Sequence, residues 1–235
     1  IKGDAIVLPH RFIATEQQWM RSDDVGFGFA AHSGIDEDSS VYIIPTGNDG
    51  HLGADTSMFP GMCSRFVIPV GASTVRGASA YYSTGGACVS VVAPDSGLPD
   101  EITPEMRDLP SLEVLDLNDD ESVATIPGRT EHAAAEVAGV VALMREANPS
   151  ITAQHIQLIL QHTATKVDPN SPLWVKNKAG YWYHPKLGFG RVNANLAVET
   201  AKQWGLTMNE INSNSESFTV EGGVQISTEE EKMFS

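Results

Sequence analysis

Three short apolar runs constrain this chain more than any other feature. Val41-Tyr42-Ile43-Ile44, Phe66-Val67-Ile68-Pro69-Val70 and Cys88 to Val92 are rich in β-branched residues, and each stops abruptly at a glycine or proline. A strand with one wet face alternates apolar and polar residues. Runs that stay apolar on both faces, as these do but for Ser90, belong to buried strands, the mark of a mostly parallel sheet flanked by helices. The covering helices can be read as well. Ala133 to Arg145 is built of Ala, Val, Leu and Met, is apolar almost all round, and reads as a central buried helix. After the break at Asn148-Pro149-Ser150, Thr152 to His162 opens on a capping residue and sets Ile156, Ile159 and Leu160 on one face. Asn193 to Trp204 is a third helix, and Phe12 to Met20 carries apolar residues at helical spacing near the start. The expected fold class is α/β.

Composition removes some functions. Fifteen Lys and Arg against thirty Asp and Glu give a net charge of −15. Nucleic acid is excluded as a partner on that balance, because phosphate binding needs a basic face and the basic residues are read as unclustered. No apolar run approaches the roughly 20 residues of a membrane-spanning helix. Residues 98–127 read as a solvated acidic loop, with eight acids and one Arg between Glu101 and Glu121 and prolines at 99, 104, 110 and 127. Residues 206–235 read as a polar linker and a short remnant of a following β-rich segment, leaving 1–205 as the main domain. The chain starts at Ile1 without an initiator Met, from which a missing upstream portion is expected.

Several segments, in this order, resemble the C-terminal half of a subtilisin-type serine protease domain, nearest the kexin-like branch. Val41-Tyr42-Ile43-Ile44-Pro45-Thr46-Gly47-Asn48-Asp49-Gly50 is similar to the strand and Gly-Asn-x-Gly turn that presents the family's oxyanion-hole asparagine. Val70-Gly71-Ala72, Ala80-Tyr81-Tyr82-Ser83 and Val91-Val92-Ala93-Pro94-Asp95-Ser96-Gly97 follow. Glu136-Val137-Ala138-Gly139-Val140-Val141-Ala142-Leu143 resembles the helix behind the nucleophile, and Trp174 to Arg191 resembles the kexin-like end of the domain. The resemblance implies part of a subtilisin-like fold, a serine-type endopeptidase ancestry and a place for Asn48 as a side-chain donor to an oxyanion. It also implies passage through the secretory pathway. Calcium enters only through the resemblance, and the residues themselves identify no cofactor.

The pattern departs from the family where the chemistry would be. The nucleophile belongs to a Gly-Thr-Ser-x-Ala-x-Pro segment directly before Val-Ala-Gly. Counted back without gaps from Val137-Ala138-Gly139, this chain has Arg129-Thr130-Glu131-His132-Ala133-Ala134-Ala135. Glu131 occupies the serine position. A one-residue shift would make Thr130 the nucleophile, at the cost of an insertion in a tight turn. Thr56-Ser57-Met58-Phe59-Pro60 looks like a second candidate but lacks the following helix and reads as surface loop. The family's Asp and His belong upstream of the asparagine turn. His10 and His32 stand there outside any recognisable motif, while His132, His155, His162 and His184 are scattered without metal-ligand spacing. Cys88 matches a cysteine position of the kexin-like branch whose usual partner is absent, and a Cys63–Cys88 bridge is left open.

Two functions follow. One is a catalytically inactive relative kept for a structural or binding role in an assembly. The other is a processed part of an active endopeptidase, its triad completed by an unseen segment. Either way, half a parallel sheet leaves an open strand edge, so an upstream segment or a second protein chain is expected to complete it.

Overall fold

The computed structural model describes residues 5–7, 41–59, 61–64, 67–95, 112–115, 123–126 and 128–205. The chain divides into two units, Ile1–Trp204 and Gly205–Ser235. Within the first, β1 (Ala5–Val7), β2 (Val41–Pro45), β3 (Val67–Thr74) and β4 (Val91–Asp95) form a four-stranded sheet in the order β1-β2-β3-β4, with every pair parallel. The first two apolar runs thus mark β2 and β3, and the third enters their neighbour β4 at Val91. β3 continues through Gly71 to Thr74 and is buried along its whole length. A side chain at Gly71 would meet Ser83 Oγ at 3.1 Å and Val92 Cγ1 at 3.2 Å, so the strand packs tightly there.

Strand periodicity divides the side chains between two covered faces. Val41, Ile43, Ile68, Val70, Val91 and Ala93 point to the side packed by the helices. On the other side Ile44 and Val67 pack with Met62, while Val92 joins Val89, Trp174 and Leu187. Burial on both faces explains why these runs show no polar alternation. The helix-bearing face meets α1 (Thr130–Ala147), α2 (Ala153–Thr163) and α3 (Ala194–Gln203). From α1 it receives Ala133, Ala134, Val137, Val141 and Met144, from α2 Ile156, Ile159 and Leu160, and from α3 Ala197 and Ala201. Small residues on α1 let it lie close against the strands.

Three expectations need correction. The helix read as buried all round has an open stripe: Ala135, Gly139, Ala142 and Leu143 are exposed, Leu143 by 51%. Its sheet-facing side alone fills the core, and apolar composition did not distinguish that side from the other. Within the stretch read as an acidic loop, β5 (Leu112–Leu115) and β6 (Val123–Ile126) pair antiparallel, Leu112 opposite Ile126. Both strands carry β-branched or aliphatic residues at alternate positions, a signal masked by the surrounding acids. The sheet also gains β1, three residues that were not read as a strand. The helix expected at Phe12 to Met20 and the remnant at 206–235 lie outside the described residues.

At the edges, β4 is covered: Val92 donates to the Gly190 carbonyl at 3.0 Å and accepts from Val192 N–H at 2.8 Å. Among the described residues the outer edge of β1 has no neighbouring strand. Two-stranded β7 (Val175–Lys176) and β8 (Trp182–Tyr183) form a separate hairpin before α3.

Cys63 and Cys88 are joined in a disulfide, with Cα atoms 5.0 Å apart and a sequence separation of 25. The bridge ties the loop after β2 to the segment entering β4. A covalent loop of this length stabilises by about 3 kcal/mol through the unfolded chain's entropy. Replacing both cysteines by serine should therefore lower the unfolding free energy by roughly 2–4 kcal/mol in a denaturant titration. An unchanged midpoint would show that the bridge carries no stability.

Candidate active-site region

The carboxyl end of a parallel sheet is where side chains from several strand ends and a helix start can converge. Here β2 ends in the turn Thr46-Gly47-Asn48-Asp49-Gly50, strapped to the neighbouring loop by three backbone bonds. Thr46 N–H donates to Val70 O at 2.9 Å, Gly50 N–H to Tyr82 O at 2.9 Å, and Thr84 N–H to Gly47 O at 3.0 Å. Gly47 takes φ +96°, a left-handed conformation that disfavours other residues. A side chain on Gly50 would fall 2.2 Å from the Ser83 carbonyl oxygen. Both glycines of the motif thus have a steric reason, and together they aim the residue between them at the start of α1.

Asn48 is buried, and its carboxamide is fully engaged with that start. Its Oδ1 accepts from Thr130 N–H at 2.9 Å and from Thr130 Oγ–H at 3.1 Å. Its Nδ2 donates to Glu131 Oε2 at 2.8 Å and Oε1 at 3.1 Å. Thr130, fully buried, also accepts from Gly47 N–H at 3.2 Å. The structure thus brings together Asn48, Thr130 and Glu131, residues separated by more than eighty positions in the chain.

The cap of α1 explains the arrangement. A helix start leaves its first N–H groups without intrahelical partners. Arg129, at the N-cap, supplies no side-chain cap. Instead Asp95, at the end of β4, accepts from Arg129 N–H at 2.7 Å, and Asn48 accepts from Thr130 N–H. Two strand ends therefore do the capping. Glu131 follows in the first turn, where the helix dipole favours a carboxylate.

Asp95 is a further site residue that reading the sequence did not single out, although it stands within a run quoted there. It is 1% exposed. His132 Nδ1 lies 3.7 Å from Asp95 Oδ2, beyond hydrogen-bond reach. Tyr82 hydrogen-bonds the Asp95 side chain, and burial followed by that carboxylate holds the phenol far above its ordinary range. Glu136, one turn into α1, is pushed up to about 7, first by burial and then by the charge of Asp95.

The remaining candidates lie elsewhere or do other work. Thr56–Met58 is a 3-10 turn capped by Asp55; Ser57 is exposed and donates to Asp55 Oδ1 at 2.5 Å. His155 completes the capping box of α2 with Thr152. His162 is exposed and meets Tyr181 Oη at 3.2 Å. His184 is buried and bonds Ser171 Oγ at 2.9 Å. His10 and His32 lie outside the described residues. No set of three His, Cys, Asp or Glu side chains converges as a metal site among the described residues.

Glu136 yields a pH prediction. Its folded-state pKa is raised, so the native chain holds this proton to higher pH than the unfolded one. Its contribution to stability is therefore present on the acid side and lost as pH rises from the ordinary carboxylate range through about 7. Glu136→Gln should become increasingly more stable than the parent chain between about pH 5 and about pH 8 in thermal melts. A constant difference across that range would show that Glu136 titrates normally.

Comparison with known proteins places these features. Residues 16–181 match the Subtilase family. The PC3-like endoprotease variant B of Hydra vulgaris is 29% identical over 174 residues, 74% of this chain and 24% of that protein. Protease KEX1 of Kluyveromyces lactis is 31% identical over 172 residues, 73% of this chain and 21% of that protein. Proprotein convertase subtilisin/kexin type 7 of Homo sapiens is 29% identical over 168 residues, 70% of this chain and 20% of that protein. The chain thus spans only about a fifth to a quarter of the length of these relatives. Among solved structures, the serine protease of Aeromonas sobria superposes with a TM-score of 0.63 at 18% identity, over 85% of this chain and 42% of that one. The same protease in complex with its chaperone (ORF2) gives a TM-score of 0.62 at 19% identity. The strand-end turn, the Ala-rich helix behind it and the parallel sheet that carries them are accounted for together: this chain belongs to the Subtilase family, with kexins and proprotein convertases among its relatives.

Proposed function

We propose that this domain does not cleave peptide bonds itself and serves as a binding or structural component of a larger protein assembly. The observation that carries the reading is the Glu131 carboxylate, at the position of the family's serine, bonded to Asn48 Nδ2 at 2.8 and 3.1 Å. Acyl transfer on this fold needs a hydroxyl that attacks, a base that takes its proton, and donors kept free for the oxyanion. A carboxylate supplies no such hydroxyl. It also occupies the amide that would serve as donor, and its charge opposes an oxyanion arriving at the same place. At about 4 Å, two like charges near a protein surface repel by up to ~4 kcal/mol. In subtilisin, loss of the side-chain donor alone costs roughly 100- to 1000-fold in turnover.

Thr130 is the alternative nucleophile if the domain is a processed part of an active endopeptidase. Its hydroxyl donates to Asn48 and accepts from Gly47 N–H, and the residue is fully buried. Those contacts support a capping role for it.

The assembly part of the proposal rests on the outer edge of β1, which has no strand beside it among the described residues. An unpaired edge beside a buried parallel sheet favours addition of further strands, from an upstream segment of the same polypeptide or from a second chain. The Cys63–Cys88 bridge supports residence in an oxidising compartment such as the secretory pathway. The proposal routes nothing through calcium.

A serine-directed fluorophosphonate applied to the native protein tests the inactive reading. No labelling is expected under conditions where an active subtilisin is labelled to completion. Stoichiometric labelling mapped by mass spectrometry to Thr130 would overturn the proposal and establish the endopeptidase instead.

A further inference from the structure

The chain as a whole is strongly acidic, yet one segment reverses the sign. Lys166, Lys176, Lys178, Lys186 and Arg191 are five of its fifteen basic residues, and Asp168 is the one acid between positions 166 and 191. This corrects the reading that the basic residues do not cluster. The segment centres on the β7–β8 hairpin, where Lys176 is paired with Trp182 and Val175 with Tyr183. Opposed residues of an antiparallel pair share a face, so Lys176 and Trp182 stand together on one side. Lys166 Nζ lies 4.0 Å from the Trp182 ring centroid and 5.3 Å from that of Trp174, and Lys176 Nζ lies 5.9 Å from Trp182.

Two ammonium groups therefore share one indole that is itself 41% exposed. Among the described residues, no carboxylate pairs with Lys166, Lys176 or Lys178. Each cation–π contact stabilises by about 0.5–1 kcal/mol at an exposed site, but neither removes the repulsion between the two charges. An anion set between them would. The hairpin is also held in shape before any ligand arrives. Tyr183 Oη donates to Gly86 O at 2.8 Å, Trp174 Nε1 to Asp168 O at 2.9 Å, and the tip is closed by Asn177 N–H to Tyr181 O at 2.8 Å. A preformed surface loses little ordering entropy on binding.

We propose that the Lys166–Trp182–Lys176 face of the hairpin, extended by Lys178 at its tip, is a docking surface for an Asp/Glu-rich peptide segment of a partner protein. Carboxylates of such a segment would sit between the ammonium groups, with its backbone and side-chain carbons over the Trp182 ring. Charge complementarity selects the peptide over larger polyanions. The chain as a whole carries a net charge of −15, so a large anionic surface or duplex meets more repulsion from it than a single extended peptide does. The surface stands whether or not the domain is catalytic.

The test titrates the full 235-residue chain with a tryptophan-free peptide rich in Glu and Asp, following tryptophan fluorescence, beside its Gln/Asn counterpart and phosphatidylcholine vesicles containing phosphatidylserine. Saturable binding of the acidic peptide is expected, weakening as salt rises from about 50 mM to about 500 mM. Lys176→Gln with Lys178→Gln should weaken it at least about tenfold, with the fold retained by circular dichroism. Failure of the acidic peptide to bind, equal binding of the neutral peptide, or equal binding by the lysine variant would overturn the proposal. So would vesicle binding as strong as that of the peptide.

Discussion

One carboxamide joins the two halves of this architecture. Asn48 sits in the turn after a buried strand, and its side chain reaches the first turn of the helix that covers the sheet. Its oxygen accepts both the N–H and the hydroxyl of Thr130, and its nitrogen donates to Glu131. The helix start has no side-chain cap of its own, so its placement depends on this contact and on Asp95 at the neighbouring strand end. A buried N–H left without a partner costs roughly 1–3 kcal/mol, which makes the carboxamide a structural requirement before it is a chemical one.

The same geometry decides what the site can do. Three carboxylates, Asp95, Glu131 and Glu136, gather around one helix start, and each is accommodated differently. Asp95 is buried with Arg129 N–H and the Tyr82 hydroxyl as donors. Glu131 is bonded by the Asn48 amide and favoured by the helix dipole. Glu136 is raised to about 7 by burial and by Asp95. A region built to hold anionic charge in this way is poorly disposed to stabilise a further anion during a reaction, and that supports the non-catalytic proposal. The opposite end of the charge balance is the lysine-rich hairpin, where, among the described residues, no carboxylate pairs with Lys166, Lys176 or Lys178.

Much of the fold was legible because its signals are local and repetitive. The runs at 41–44, 66–70 and 88–92 are apolar but for Ser90 because both sheet faces are covered; the first two mark β2 and β3, and the third supplies Val91 and Val92 of β4. β1 was not legible, since Ala5-Ile6-Val7 is too short for any periodicity to show. The β5–β6 pair was hidden by flanking acids. For α1, composition showed an apolar helix but could not show which side meets the sheet, and the exposed Leu143 stripe followed. The meeting of Asn48 with Glu131 joins residues far apart in sequence, and only the family resemblance pointed to it. Asp95 carried no local signal at all, because a strand-end aspartate looks like any turn residue until the helix it caps is placed.

The central claim is that Glu131 is bound to Asn48 and so holds the site closed to an incoming anion. A double-mutant cycle on stability measures that pair directly, using Asn48→Ala, Glu131→Ala and the double variant in denaturant titrations. The cycle cancels the bonds that Asn48 makes to Thr130. A hydrogen bond to a charged group predicts a coupling of about 1.5–3 kcal/mol. A coupling near zero would mean that the carboxylate does not engage the amide, and the account of the site would fail.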